Sequence, residues 1–310
     1  MRVDEPVDDG DALIVATSGT RGEPKGVVLT HDAITASALA TSARLDVDPA
    51  RDAWLACLPL AHVGGLAVVT RALATDTRVV VHDGFDATAV ERAARADGVT
   101  LVSLVATAMR RIDASLFRVI VLGGSAPPDD RPANTVTTYG MTETGSGVVY
   151  DGLPLDGVEV RVDAESQIHL RGPMLLRAYR GGVDPKDTDG WFATGDLGAI
   201  DAPTGRLQVF GRRGDLIISG GENVWPEPVE TILAADPGVS EVAVVGRPDD
   251  EWGQRVVAVI VPRDANAPPT LDRLRQAVKE RLGPWAAPRA IELVESIPRT
   301  ALGKVRRGDL

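Results

Sequence analysis

One cysteine, Cys57, stands alone in 310 residues. It excludes an intramolecular disulfide and fits a reducing compartment. Lysine is nearly as scarce: Lys25, Lys186, Lys279 and Lys304 are the only ones, and the remaining basic side chains are arginine. With 33 basic against 44 acidic residues the net charge is −11. That balance argues against nucleic acid or an anionic membrane surface as the main partner. The four histidines, His31, His62, His82 and His169, are too scattered to suggest a metal-ligand set. No apolar run approaches the ~18 residues that suggest a membrane span. The start, Met1-Arg2-Val3-Asp4-Glu5-Pro6, has the character of neither a signal nor a transit peptide. Internal repeats and low-complexity tracts are missing as well. The expectation is a cytoplasmic enzyme or binding protein acting on small molecules.

What is present is ordinary globular material, 44% hydrophobic and 25% charged, in a chain long enough for more than one domain. From residue 31 to residue 122 helical and strand patterns alternate. Helices are predicted over 31–44 and 86–97, and strands over 53–59, 78–82, 100–105 and 118–122. This is the rhythm of a mostly parallel sheet covered by helices. From 148 to 220 short strands follow, punctuated by Gly, Pro and Asp, and they read as an antiparallel barrel or curved sheet. A boundary is expected at Gly211-Arg212-Arg213-Gly214-Asp215, where glycines and charges interrupt two apolar strands. Beyond it, helices at 226–235 and 271–282 and strands at 241–246, 254–262 and 290–294 make a small α+β unit.

Chemistry concentrates in loops. Thr17-Ser18-Gly19-Thr20-Arg21-Gly22-Glu23-Pro24-Lys25-Gly26 lies between two short apolar strands. Its glycines allow close backbone approach, its hydroxyls and N–H groups offer donors to phosphate, and Lys25 adds a mobile positive charge. It is not a Walker A loop, because Gly19 and Gly22 are three apart and Gly26, not Ser or Thr, follows Lys25. Gly123-Gly124 makes a sharp turn after the 118–122 strand. Tyr139-Gly140-Met141-Thr142-Glu143 supplies an aromatic face, a hydroxyl for phosphate and a carboxylate for Mg²⁺. Asp196, behind a predicted Thr194-Gly195 turn, can accept from two ribose hydroxyls or merely cap that turn. Ser219-Gly220-Gly221 is a further flexible turn. His62, in Leu60-Ala61-His62-Val63-Gly64-Gly65-Leu66, stands where a strand gives way to a helix and α/β folds place ligand contacts.

Five blocks thus stand in one order: residues 17–26, 139–143, 194–196, 211–223 and 298–304. Together they resemble the adenylate-forming superfamily of acyl-CoA synthetases, luciferases and peptide-synthetase adenylation domains, along nearly the whole chain. The resemblance implies an α/β fold with three parts: a large N-terminal domain (1–211) of sheet layers, a small β-barrel-like subdomain within it, and a small mobile α+β C-terminal domain (212–310). It implies ATP and Mg²⁺, with CoA as co-substrate. Thr17, Ser18, Gly19, Thr20 and Lys25 would hold the ATP phosphates. Gly123, Gly124, Tyr139, Gly140 and Met141 would frame the adenine, with Thr142 near the α-phosphate and Glu143 on Mg²⁺. Asp196 and Arg212 would take the ribose, and Lys304 would bridge the acyl carboxylate and the α-phosphate. Ser219, Gly220 and Gly221 would face the CoA thiol arm after a rotation of the C-terminal domain.

Within the superfamily, Pro59 to Leu66, Tyr150 to Val158 and Ile218 to Val224 are similar to segments of o-succinylbenzoate–CoA ligases of menaquinone biosynthesis, in their short actinobacterial form. His62 then becomes a candidate contact for the acid. Another aryl or short-chain acid:CoA ligase, an enzyme loading a carrier protein, and a non-catalytic nucleotide- or acyl-binding relative are the alternatives. Two departures stand out. Gly214 occupies the usual hinge position two residues after Arg212, and the phosphate loop starts at Thr17 where relatives carry a hundred or more residues first. The link from Pro127 to Thr135 also looks too short for the helix expected there. A homodimer covering the face left exposed is a further expectation.

Overall fold

The structure is a computed structural model and describes residues 8–17, 25–124, 127–128, 130–299 and 305–310. They form two compact units. One takes the described residues up to Thr194 together with Ala199–Gln208; the other takes Gly195–Gly198 and Val209–Leu310.

The first unit begins with β1 (Asp11–Ala16) and β2 (Gly26–Thr30), an antiparallel pair flanking the predicted phosphate loop. Helix α1 (His31–Arg44) starts at once, because the Thr30 hydroxyl accepts from the backbone N–H of Ala33 at 3.1 Å. Then come β3 (Ala53–Ala56), α2 (Val63–Ala74), β4 (Arg78–Val81), α3 (Ala87–Ala96), β5 (Leu101–Leu104), the short α4 (Ala106–Met109) and β6 (Val119–Leu122). The Asp86 carboxylate caps α3 through the Ala89 N–H at 2.8 Å. The sheet continues through β7 (Thr135–Met141), β8 (Ser146–Tyr150) and β9 (Leu153–Pro154), giving seven strands in the order β4-β3-β5-β6-β7-β8-β9. From β4 to β7 neighbours are parallel, and β8 and β9 run antiparallel. No helix fills the link between β6 and β7 among its described residues, as its length predicts.

Parallel strands covered on both faces carry continuous apolar runs. Ala53-Trp54-Leu55-Ala56 is accordingly buried throughout. Trp54, Ala56, Leu101 and Val121 turn to one face with Val68 and Ala72 of α2. Leu55, Cys57, Val102 and Ile120 turn to the other, with Val90 and Ala93 of α3 and Met109 of α4. The order in which successive strands are added reverses at β3, since β4 lies on one side of it and β5 on the other. A crevice outside the carboxyl ends of the strands at such a switch point is where open α/β sheets bind ligands.

The segment from 148 to 220 is a set of short strands, as its punctuation predicts. Among them β10 (Glu159–Val162), β11 (Gln167–Arg171), β13 (Phe192–Ile200) and β14 (Leu207–Arg212) form a four-stranded sheet in the order β10-β11-β13-β14. The two-residue β12 (Ala178–Tyr179) instead pairs with β2. One expectation is corrected here. Thr194, Gly195 and Asp196 are not a turn but the middle of β13, where Gly195 takes a φ of +75° within the strand. Phe192 and Leu197 are buried there, and the buried Thr194 donates its hydroxyl to the Ile168 carbonyl at 2.8 Å, so packing and pairing override the turn chemistry of Thr-Gly-Asp.

The second unit contains β15 (Ile217–Ser219), β16 (Glu222–Val224), α5 (Pro226–Ala234), β17 (Val239–Asp249), β18 (Gly253–Pro262), α6 (Leu271–Arg281) and β19 (Ala290–Leu293). Proline at the first position of α5 costs no hydrogen bond, because that N–H has no helical partner anyway. The sheet order is β16-β15-β18-β17, with β19 beside β18 in parallel. Val229 and Leu233 of α5 and Leu274 and Val278 of α6 pack with Val242, Val244, Val256 and Ala258, a core separate from that of the first unit.

Candidate functional site

The carboxyl ends of β3, β6 and β7 carry the residues that the sequence singles out. After β3 the chain reaches His62, half-buried, which precedes α2 and whose carbonyl accepts from the Leu66 N–H at 3.0 Å. The next turn of chain is tight: a Cβ on Gly65 would meet the Pro59 carbonyl oxygen at 2.5 Å. Gly123 and Gly124 follow β6 directly, and the Gly123 N–H donates to Leu104 at 3.2 Å. Thr138, on the neighbouring strand β7, donates its hydroxyl to the Leu122 carbonyl at 3.1 Å. This places Gly123, Gly124 and Tyr139 side by side at the end of adjacent strands. At Gly140 the strand bulges, and a Cβ would sit 2.1 Å from the Ser146 carbonyl oxygen, so only glycine fits.

Strand β7 ends at Met141, and Thr142–Thr144 forms one 3₁₀ turn. The buried Thr144 hydroxyl closes it, accepting from the Met141 N–H at 2.9 Å and donating to the Ser146 carbonyl at 2.6 Å. Thr142 and Glu143 are thereby presented half-buried on a rigid turn. Glu143 is fixed at two points: its carbonyl accepts from the Leu176 N–H at 2.8 Å, and its Oε1 accepts from the Tyr179 hydroxyl at 3.0 Å.

The predicted phosphate loop is pinned at its base. Thr17 donates its N–H to the Lys25 carbonyl at 2.8 Å, and the Lys25 N–H donates back to the Thr17 hydroxyl at 3.2 Å. The Lys25 ammonium lies over the Tyr179 ring, 4.7 Å from its centroid. Ser18, Gly19 and Thr20 lie outside the described residues, as does Lys304.

Within the second unit, Asp196 is buried and Arg212, at the end of β14, brings its Nε to 3.0 Å from Asp196 Oδ1. Ser219, Gly220 and Gly221 form the turn between β15 and β16. Gly220 and Gly221 have φ of +62° and +85°, the twist of a two-residue hairpin turn, and a Cβ on Gly220 would meet the Trp252 ring at 2.5 Å. The guanidinium of Arg289 lies over the other part of this corner, 3.6 Å from the Trp252 ring centroid. The Ser219 hydroxyl is buried without a hydrogen-bond partner.

Sequence reasoning missed Arg71. This α2 residue is 3% exposed, beside Trp54 with its guanidinium 4.8 Å from the ring centroid. Its Nη2 approaches the Ser146 hydroxyl at 3.5 Å, while Nε and Nη1 are buried with no partner. Burial holds its pKa below the ordinary arginine value. A buried cation with two free donor atoms is costly unless an anion arrives to meet it. The signal in the sequence was the single charged residue of the mostly apolar helix 63–74.

Comparison with known proteins places the chain. Residues 2–180 match the AMP-binding enzyme family and residues 228–304 its C-terminal domain. The probable 2-succinylbenzoate–CoA ligase of Mycobacterium tuberculosis is 42% identical over the whole chain and 86% of that protein. The 2-succinylbenzoate–CoA ligase of Bacillus anthracis is 35% identical over 96% of this chain and 69% of that protein. Among solved structures, o-succinylbenzoate CoA synthetase of Bacillus subtilis with its acyl-adenylate intermediate superposes with a TM-score of 0.88 at 31% identity, covering 95% of this chain and 68% of that one. The same enzyme with ATP and magnesium gives 0.86 at 31% identity over 96% and 69%. The loops at the strand ends, the four-stranded sheet and the separate C-terminal core agree with these matches, and the chain belongs to the AMP-binding, adenylate-forming enzyme family.

Proposed function

We propose that this chain is an ATP-dependent acid–thiol ligase that converts 2-succinylbenzoate to its CoA thioester. In the first step a carboxylate oxygen of the acid attacks the α-phosphorus of ATP, the α–β phosphoanhydride bond breaks, and pyrophosphate leaves. In the second the CoA thiolate attacks the acyl carbonyl, the thioester bond forms, and AMP leaves with the electron pair of the broken C–O bond. Membership of the family and the names of the relatives support the reaction class.

The observation that carries the choice of acid is Arg71. Adenylation consumes one carboxylate, and a dicarboxylic acid brings a second anion that needs a fixed cationic partner. The buried, unpartnered Nε and Nη1 of Arg71, nine residues beyond His62 on the helix that His62 precedes, offer that partner. A monocarboxylic acid would leave the buried charge uncompensated.

The remaining groups divide the substrate among them. Gly123, Gly124 and Tyr139 line the place for the adenine, Asp196 and Arg212 take the ribose hydroxyls, and Thr17 and Lys25 meet the phosphates. Lys304 stabilises the two anions as they approach. Among the described residues there is no cluster of three or more acidic, His or Cys side chains for a metal. Mg²⁺ commonly takes one or two carboxylates and completes its shell with phosphate and water. Glu143 would hold it, since Tyr179 occupies only one of its carboxylate oxygens. When bound, the cation supplies neutralising charge to the phosphate oxygens. For the second step, the Ser219 to Gly221 turn lies beside Trp252 and Arg289, an aromatic and cationic corner suited to an anionic nucleotide such as CoA.

The test is AMP formation with ATP, Mg²⁺ and CoA, comparing 2-succinylbenzoate with benzoate, acetate and medium-chain acids. Strong preference for 2-succinylbenzoate is expected. Preference for another acid would keep the mechanism and discard the substrate, and ATP binding without turnover on any acid would favour a non-catalytic relative.

A further inference from the structure

Tyr179 stands where two loops with different tasks meet. It lies on β12, in register with Val27 of β2, two residues beyond Lys25. The Arg180 N–H donates to the Gly26 carbonyl at 2.6 Å, so the chain here is locked to the exit of the phosphate loop. The same stretch reaches the other way, where Leu176 donates its N–H to the Glu143 carbonyl. The phenol then makes two contacts at once: its ring lies 4.7 Å from the Lys25 ammonium, and its hydroxyl donates to Glu143 Oε1 at 3.0 Å. A phenol ring attracts a cation through its face, and its O–H is a donor at its edge, so one rigid side chain can serve both charges.

We propose that Tyr179 is a positioning residue for adenylation, fixing the Glu143 carboxylate and the Lys25 ammonium relative to one another. This rests on the reading of Glu143 as the Mg²⁺ ligand and Lys25 as a phosphate contact. Held apart by the ring, the two opposite charges do not collapse into a direct ion pair, which would take both from the nucleotide. The free Oε2 of Glu143 and the ammonium are left for the metal and the phosphates.

The test uses the full chain with ATP and no acid, so that nothing turns over, and reads Mn²⁺ binding by electron paramagnetic resonance alongside ATP affinity in chelator. Tyr179→Phe keeps the ring and removes the hydroxyl. It should weaken Mn²⁺ binding by roughly tenfold or more, the effect of losing a hydrogen bond to a charged group, and leave metal-free ATP affinity unchanged. Tyr179→Leu should weaken both. Unfolding temperatures of the two variants separate these effects from loss of the fold. If Glu143→Gln weakens Mn²⁺ binding and Tyr179→Phe does not, the positioning role is wrong. It is equally wrong if Tyr179→Phe lowers metal-free ATP affinity as much as Mn²⁺ binding. Wild-type Mn²⁺ binding in Glu143→Gln would instead remove Glu143 as the metal ligand and the proposal with it.

Discussion

The Nε of Arg212 lies 3.0 Å from Oδ1 of Asp196, the carboxylate buried and the guanidinium half in solvent. The asymmetry sets their division of labour. Asp196 is held by the strand, while Arg212 can shift without opening the core. In the proposed site this carboxylate, held beside Arg212, accepts from the ribose hydroxyls. The Asp196→Ala variant should therefore bind ATP at least about tenfold more weakly, the loss expected for a hydrogen bond to a charged group. Calorimetric titration with ATP in the absence of acid measures it, and unchanged affinity would reject the ribose contact.

Arg71 makes a prediction with opposite signs for activity and stability. Its guanidinium is buried beside Trp54 with two donor atoms unpartnered, a state that costs stability in the free protein. Arg71→Met replaces it with an apolar chain of similar length. The variant should unfold at a temperature no lower than that of the wild type. Its kcat/KM for 2-succinylbenzoate should fall by roughly 100-fold, the scale of a charge-assisted pair. The fall should be much smaller for an aryl monoacid lacking the second carboxylate. Equal losses for both acids would show that Arg71 does not read that carboxylate.

Much of this site was legible because its residues are local. The strand ends after β6 and β7 put Gly123, Gly124 and Tyr139 together through ordinary parallel pairing, which the alternation of apolar runs and helices already implied. Arg71 and Tyr179 were not legible for a common reason. Each is placed by a contact between distant parts of the chain, Arg71 with Trp54 and Tyr179 with Glu143, and neither spacing is periodic. Thr194-Gly195-Asp196 misled in the other direction. Its turn-forming residues are overruled by the burial of Phe192 and Leu197 on either side, so the strand runs on through it. Local propensity loses where tertiary packing decides.

An acid-sensitive support lies at the amino ends of β3, β5 and β6 in the large sheet. Asp52 accepts from Arg118 at 2.6 Å and 2.9 Å and from the Thr100 hydroxyl at 2.7 Å. Burial pushes its carboxyl pKa up, but the Arg118 guanidinium, the Asp48 N–H and the Thr100 hydroxyl outweigh that and hold it below the ordinary 3.8. A carboxyl depressed in the folded state contributes stability that is present above its unfolded pKa and is lost as pH falls through the folded one. Wild type should thus unfold at a higher temperature than Asp52→Asn at pH 7. The gap should close progressively below pH 3.8. A gap of the same size at pH 7 and pH 3 would mean that the charge contributes nothing.

Lys304, proposed to bridge the acid and the α-phosphate, should separate the two half-reactions. The residues flanking its segment are tied down on both sides. Arg299 pairs antiparallel with Val305, the Arg306 N–H donates to the Pro298 carbonyl at 2.8 Å, and Arg299 meets Glu241 at 2.8 Å. On the far side Arg307 meets Glu230 at 2.7 Å and Asp215 at 3.3 Å. A lysine that stabilises the charge developing between carboxylate and α-phosphate matters to acyl-adenylate formation and not to the attack of a thiolate on it. Lys304→Ala should therefore lose roughly 100-fold or more in adenylation, the scale for a preorganised charge-stabilising donor. Pyrophosphate release with ATP and acid reads that step. Thioester formation from chemically prepared acyl-adenylate and CoA should proceed at nearly the wild-type rate. Equal loss in both steps would mean that Lys304 supports the fold of the C-terminal unit and takes no part in the chemistry.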